Sequence, residues 1–400
     1  DSAVARATGT LAPMTAPRPM SPGRPPRRRP SFDWRSLFRP FRSRQEGTMP
    51  AGLVLVLVVG SLLVAMFLNA DATLRKSEAK GDGWRNEIAK TIASVSDTFH
   101  VTALRHGIDD ALGKNQGTNT DVEQLLAQKE AATADGQTDT TEAPPAPVLP
   151  VIPAATPEAP LRFWVGGDSI TETFGTSMQR VVASTGVFTP TLDYHVSTGL
   201  ARPDYYNWPE HLLKDVLPTD PQVMVIMFGA NDGQGMEGTD GKVFTRGTPE
   251  WLDEYRRRVA ATMDLLKDPA NDRLVIWVGP PVMRPGSGVH EMDQLNYIYW
   301  SEAQSRPWIQ YFDSWPFFSD ANLQYVKEAP FADGVSRGLR QKDGVHLSTI
   351  GGNRLSWAVL ARIGKYVDLS AGKTTPPADE AAPATVVERT EIPPETPGAE

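Results

Sequence analysis

The sequence contains no cysteine. That absence excludes a disulfide framework, a thiolate zinc site and a cysteine nucleophile. It is compatible with an envelope compartment without requiring one. A surplus of positive charge is also missing. The formal net charge is −8 and the isoelectric point about 5.4, which argues against nucleic acid as the main partner. Apolar periodicity is lacking over three long stretches. Residues 1–50 are rich in proline and arginine, cannot bury a core, and are expected to form a disordered basic cytoplasmic tail. Residues 115–160, rich in Thr, Ala, Pro and Gln, are expected to be a linker, and residues 370–400 a disordered acidic, Pro-rich tail.

What is present begins with Ala51–Leu68, apolar throughout except for Ser61. As a helix this run would span about 27 Å, close to the hydrocarbon thickness of a bilayer. Arg24, Arg27, Arg28, Arg29, Arg35, Arg39, Arg42 and Arg44 crowd its N-terminal side, whereas Asn69 and Asp71 open the other. The positive-inside rule then leaves the N-terminus in the cytoplasm and everything after Asn69 outside. Residues 51–69 are therefore expected to be a single-pass anchor in the inner membrane, with an extracytoplasmic, periplasmic domain beyond. A cleaved signal peptide with Ala70-Asp71-Ala72 as its processing site is the competing reading. The length of the apolar run and of the basic region before it disfavours that. A buried core helix is the third option, and the weakest for so long an uncharged run. Over 70–114 the residues Trp84, Ile88, Ile92, Val95, Phe99, Leu104, Ile108 and Leu112 recur at steps of three and four, predicting an amphipathic helical stalk. His100 and His106 lie there without matching ligand partners and read as surface histidines.

Residues 161–369 have the length of one folded domain. Strand-like apolar runs recur at Leu161–Val165, Thr191–Val196, Val223–Phe228, Leu274–Val278 and Ile309–Phe312. Helical patterns separate them. One starts at Thr248, an N-cap followed by Pro249, and carries Trp251, Leu252, Tyr255, Val259, Met263 and Leu266 on one face. Others cover Met292–Trp300 and Ile350–Val367. Alternation of helices with nearly continuous apolar strands predicts an α/β fold with a parallel sheet of about five strands, covered on both faces.

In such a sheet reacting groups collect at the strand C-termini. The first run ends in Gly166-Gly167-Asp168-Ser169, offering Ser169 as a nucleophile or as no more than a helix N-cap residue. After the second comes Gly199, after the third Gly229-Ala230-Asn231-Asp232, and some thirty residues beyond the fifth comes Asp343-Gly344-Val345-His346. A carboxylate three residues before a histidine can accept from one ring nitrogen and leave the other free as a base. Taken singly, Asn231 could be a turn residue, Gly199 a turn glycine and Asp343-Gly344 a β-turn. Together a serine, a histidine with its acid, and amide donors are the equipment of acyl transfer through a covalent intermediate.

In this order the four segments resemble the blocks of the SGNH (GDSL-type) hydrolases. Gly167-Asp168-Ser169-Ile170 is similar to the first block, Gly199 to the second, Gly229-x-Asn231-Asp232 to the third and Asp343-x-x-His346 to the last. The resemblance covers about Leu161–Leu369. It implies a three-layer, flavodoxin-like α/β/α sandwich, with Ser169 as nucleophile, His346 as base and Asp343 as its orienting acid. The Ser169 and Gly199 amides and the Asn231 side chain would form the oxyanion hole. Gly199-Leu200-Ala201-Arg202-Pro203-Asp204, Gly279-Pro280-Pro281 and the anchor resemble an uncharacterised, envelope-facing bacterial branch of that family.

Arg202, Tyr205, Tyr206 and Trp208 lie near Gly199, and aromatics beside a hydrolase site suit sugar rings; some of them could equally be core. They are the expected substrate contacts. Gly233–Thr248 is a glycine-rich stretch that reads either as a mobile lid or as an ordinary surface excursion. The expected activity is that of a serine esterase on O-acyl groups of envelope glycans, its partner an acylated glycan or a small ester. No metal site and no cofactor are expected. An O-acyltransferase with the same triad is the main alternative, followed by a lipid esterase or thioesterase and by a non-catalytic glycan-binding scaffold. The sequence does not indicate an oligomeric state.

Overall fold

The computed structural model describes residues 120–134 and 148–394, with four isolated helical positions at Val54, Leu57, Val58 and Ser61. The chain divides after Leu63, and the architecture below belongs to the second unit, Val64–Glu400. The basic tail and the stalk helix lie outside the described residues, as does nearly all of the 51–69 run. Among the described residues no helix is long and apolar enough to cross a membrane.

The first described element is a helix, α1 (Val122–Ala134), followed by strand β1 (Leu161–Gly167), helix α2 (Ser169–Thr185) and strand β2 (Phe188–Tyr194). A short helix, α3 (Trp208–His211), runs into a π-helical turn over Leu212–Val216 before β3 (Val223–Met227). A small hairpin, β4 (Met236–Glu237) and β5 (Val243–Phe244), precedes α4 (Pro249–Leu265) and β6 (Leu274–Val278). Then come α5 (Met292–Ala303), β7 (Ile309–Phe312), a second hairpin of β8 (Glu328–Pro330) and β9 (Ser336–Gly338), and α6 (Thr349–Ile363).

Five strands form one parallel sheet in the order β2-β1-β3-β6-β7. Numbered along the chain the sheet strands read 2-1-3-4-5, the doubly wound order whose direction reverses between β1 and β3. Right-handed crossovers put α2 on one face and α4 and α5 on the other, giving the α/β/α sandwich. β3 and β6 are buried at every position, as continuous apolar runs in a sheet covered on both faces must be. Each large side chain wholly buried there, such as Met224 or Trp277, contributes about 1.5–3 kcal/mol. The second strand differs from expectation in its limits, beginning at Phe188 rather than Thr191. Pro190 obscures it in the sequence, and is tolerated because β2 is an edge strand of the sheet.

α6 packs along α2. Gly352 stands where a Cβ would lie 2.7 Å from Ser177 Oγ and 3.0 Å from the Thr173 carbonyl, so the two helices approach closely. Ser348 caps α6, its Oγ accepting from the Gly351 amide at 3.0 Å. This packing carries the residues just before α6 to the start of α2, where Ser169 sits.

Two segments expected to lack structure are held to the domain. Within the expected linker, α1 buries Val122 and Leu125, and Arg257 on α4 grips Asp121 at 2.9 and 3.0 Å. After Leu369 the described residues, to 394, form no helix or strand, yet Glu380 accepts from Arg180 (2.9 Å), Asn353 (2.9 Å) and Trp357 (2.6 Å). Further on, Arg389 pairs with the buried Asp313 at 2.6 Å, and Ile392 is buried. Composition misses both segments because a few scattered apolar anchors and ion pairs, with no periodic apolar stripe, fasten them.

Candidate active site

The winding direction of the sheet reverses between β1 and β3, so their C-terminal ends form its switch point. Gly167 has φ 153°, and a Cβ there would stand 2.0 Å from the Met227 carbonyl oxygen, so only glycine ends β1 this close to β3. Asp168 follows as the N-cap of α2. Its Oδ1 accepts from the Ile170 amide (2.9 Å), and its Oδ2 from the amides of Gly229 (3.1 Å) and Ala230 (3.0 Å). Burial pushes this carboxyl up to about 8, with the nearby Asp232 adding to the rise and the three amide donors opposing it. Ser169 is then the first residue of α2, and its amide belongs to the helix end whose N–H groups have no intrahelical acceptor.

His346 places Nε2 3.1 Å from Ser169 Oγ and Nδ1 2.7 Å from Asp343 Oδ2. The other Asp343 oxygen accepts from the Val345 and His346 amides at 2.9 and 3.0 Å. Partial burial raises this carboxyl, but the bonds from the His346 ring and the two amides outweigh it and hold Asp343 below the usual range. A carboxylate only accepts, so it fixes the proton on Nδ1 and turns the Nε2 lone pair toward the serine hydroxyl. The His346 and Asp343 side chains are 33% and 45% exposed, which leaves the site open to solvent. The arrangement can activate a serine hydroxyl for attack on an acyl carbon.

Gly199 and Asn231 are brought together by contacts that the sequence motifs do not spell out. A Cβ on Gly199 would stand 2.1 Å from Asp232 Oδ1, so only glycine fits over this carboxylate. Asp232 is fully buried; its Oδ1 accepts from the Ala201 amide (2.8 Å) and its Oδ2 from the Tyr255 hydroxyl (2.7 Å). Asn231 Nδ2 donates to the Thr198 carbonyl at 3.0 Å, which orients the amide and leaves its second N–H free of that bond. Residues 198–201 are thus tied to 231–232, and 229–230 to Asp168. Asp232 is the residue whose importance was hidden: its neighbour in the motif drew attention, while its own task, holding the Gly199 loop, shows only in three dimensions.

The expected substrate contacts divide. Tyr205 is 45% exposed, whereas Tyr206 is 8% exposed and Trp208 wholly buried. Trp208 donates through Nε1 to Thr198 Oγ1 at 2.8 Å, and Tyr206 stacks on His195 with centroids 4.0 Å apart. These two rings support the loop and offer no face to a ligand, which corrects the sequence reading of them. Arg202 is held by both Asp204 oxygens at 2.7 Å. Within 233–248 the chain forms the β4–β5 hairpin, fastened where Trp251 Nε1 donates to the Gln234 carbonyl (2.7 Å) and Arg258 to that of Glu237 (2.8 Å).

Several solved structures are similar over about half of this chain. A lipase/acylhydrolase from Enterococcus faecalis is 16% identical, covering 54% of this chain and 100% of its own, with a TM-score of 0.38. An acetyl xylan esterase from Geobacillus stearothermophilus is 16% identical (52% and 95% covered, TM-score 0.36). The C-terminal catalytic domain of peptidoglycan O-acetyltransferase A from Streptococcus pneumoniae is 13% identical (54% and 97% covered, TM-score 0.33). No curated protein matches the chain. The chain belongs to the family described as "Protein of unknown function (DUF459)", which it matches over residues 162–362.

Proposed function

We propose that the chain is an SGNH-type serine esterase, anchored by residues 51–69 with its catalytic domain outside the cytoplasmic membrane, acting on O-acyl groups of cell-envelope glycans. The observation that carries the chemistry is the unbroken hydrogen-bonded line from Asp343 through His346 to Ser169. Ser169 Oγ attacks the acyl carbonyl while His346 Nε2 takes its proton, and the new oxyanion receives the Ser169 and Gly199 amides and the Asn231 side chain. Collapse expels the alcohol, which takes its proton from His346, and water then releases the acyl group from Ser169 by the same route. The open triad and the exposed Tyr205 support a bulky, ring-containing substrate over a lone small ester.

Brief treatment with a fluorophosphonate, followed by intact-protein and peptide mass measurement, tests the nucleophile. An adduct on Ser169 supports the reading, and an adduct on another serine ends it. Mass spectrometry of envelope glycans from cells with and without the protein tests the substrate class; unchanged acylation sinks it. The same open face that admits water admits a sugar hydroxyl, so O-acyl transfer is the second reading. A larger share of transferred than hydrolysed acyl group, measured with an oligosaccharide acceptor, would favour it.

A further inference from the structure

Beyond the triad, the end of β2 carries a second group of histidine and aspartate side chains that the esterase reading does not use. Asp193 and His195 stand two residues apart and so share one face at the strand's end. His211 reaches them from the last position of α3, where the chain enters the π-helical turn. Both histidines aim Nε2 at one carboxylate: His211 Nε2 is 2.6 Å from Asp193 Oδ2, and His195 Nε2 is 3.3 Å from Asp193 Oδ1.

We propose that Asp193, His195 and His211 form a binding site for a divalent transition-metal ion of the Zn²⁺ type. The candidate ligand atoms all lie within 4.8 Å of one another. Tetrahedral zinc with bonds of about 2.0–2.2 Å needs its ligand atoms about 3.3 Å apart, so small ring rotations complete the set. Two imidazoles and one carboxylate suit zinc, and the fourth position is left for water.

The surroundings have the character of a metal site. Asp215, four residues beyond His211, takes its Nδ1 at 2.8 Å, fixing the ring so that Nε2 is the ligand. A carboxylate behind a ligating histidine is the usual second support. Tyr206 stacks on His195, and Trp208 meets both rings edge-on at 5.5 and 5.7 Å, so the imidazoles are walled by aromatics. A π-helical turn is rare, and where one occurs it commonly marks a functional position. The side chains of Asp193, His195 and His211 remain 20%, 36% and 21% exposed, which gives an ion a way in. Among the described residues the other grouping of ligand-type residues, Asp220, Asp268 and Asp272, lacks this character, because Arg273 already sits on Asp220 and Asp268.

The ion would act on the active site through the backbone. The His195 amide donates to the Gly167 carbonyl (3.0 Å). The His195 carbonyl accepts from Thr198 Oγ1 (2.5 Å), and the Thr198 carbonyl accepts from Asn231 (3.0 Å). Fixing His195 therefore fixes the loop that carries Gly199. These are positioning residues.

The test uses the full chain, purified without a histidine tag, stripped with chelator and dialysed against Zn²⁺ or Co²⁺ alone. One ion per chain is expected by elemental analysis, with the visible d–d bands of a nitrogen-ligated site for Co²⁺ and a raised thermal midpoint. His211→Ala and Asp193→Asn should each weaken binding at least tenfold, on the order of a lost ligand. His195→Asn, at the most exposed ligand and with little burden on folding, should do the same. His346→Ala should keep full binding. Absence of stoichiometric binding by the native chain overturns the proposal. So does loss of binding in His346→Ala with retention in His195→Asn, which would make the triad histidine the ligand.

Discussion

Two aspartates flank Ser169, one directly before it in the chain and one hydrogen-bonded to His346, and their surroundings drive their proton affinities apart. Asp168, directly before Ser169, is fully buried and its carboxyl is pushed up to about 8. Asp343, reaching the serine through His346, is nearly half exposed and held below the usual range. A carboxyl group raised by burial suits architecture, and here it ties the start of α2 to the turn after β3. One kept ionised beside an imidazole suits chemistry, because in the proposed mechanism it would stabilise the imidazolium formed when the serine gives up its proton. Adjacency in sequence is thus a poor guide to role. In the proposed mechanism the chain neighbour of Ser169 is scaffold, and the aspartate that works with it lies 174 positions further along the chain.

The sharpest way to break this division is to remove the chemistry and leave the architecture standing. Ser169→Ala and His346→Ala should each lower kcat by up to about 10⁶, and the double variant should be hardly worse than either, since the pair acts as a unit. Steady-state turnover of an activated acetyl ester measures this, and undiminished turnover by Ser169→Ala would end the serine mechanism. Next in size, Asp343→Asn should cost about 10⁴ in kcat by favouring the wrong imidazole tautomer, while a fluorophosphonate adduct on Ser169 still forms slowly. A loss as small as tenfold would make Asp343 a turn residue.

How much of this was legible beforehand follows from what each feature depends on. β6 and β7 occupy the runs Leu274–Val278 and Ile309–Phe312 that the sequence outlines: β6 is buried at every position and encodes only apolar side chains, and β7, at the sheet edge, departs from that only at the half-buried Gln310. Thr248 caps α4 as its place before Pro249 predicts, its Oγ1 accepting from the Trp251 amide at 3.3 Å. These are local rules. The Ser169 and Asp343-x-x-His346 segments, which the structure joins by a hydrogen bond, stood out because sheet topology collects strand ends at one place. What stayed hidden depends on distant partners. Nothing in the sequence joins Asp193 to His211, or Arg389 to Asp313, because the contacts are made only after the sheet has formed. Trp208 and Tyr206 misled for a related reason: an aromatic near a site presents the same letter whether its face meets a sugar or its neighbours.

Smaller than the triad effects, and sitting on the border between the two roles, is the contribution of Asn231. Its amide is oriented by the Thr198 carbonyl, and in the proposed mechanism it takes a share of the oxyanion hole. Asn231→Ala should lower kcat by about 10²–10³ with little change in KM, the cost of one oxyanion donor. A changed KM with intact kcat would instead assign Asn231 to substrate binding, on the architectural side of the comparison.

The smallest effect on rate is expected at Asp168, where the signature is the pH dependence of stability. In the unfolded chain an aspartate titrates near 3.9, whereas the folded protein holds this carboxyl at about 8. Between those values the folded state keeps a proton that the unfolded state has lost. The Asp168 contribution is therefore fully present below about pH 4 and is lost as pH rises toward 8. Asp168→Asn leaves an uncharged group that does not titrate, at the cost of replacing an oxygen that accepts from Ile170 or from Gly229 and Ala230. The gap in denaturation midpoint between native protein and Asp168→Asn should accordingly narrow from pH 5 to pH 8. Asp343, whose folded value is depressed, contributes above about pH 4, so the gap for Asp343→Asn should stay level over the same range. Equal, pH-independent gaps at both positions would mean that the three amide donors keep Asp168 ionised in spite of its burial. The contrast between the two aspartates would then lie in what they touch and not in their charge.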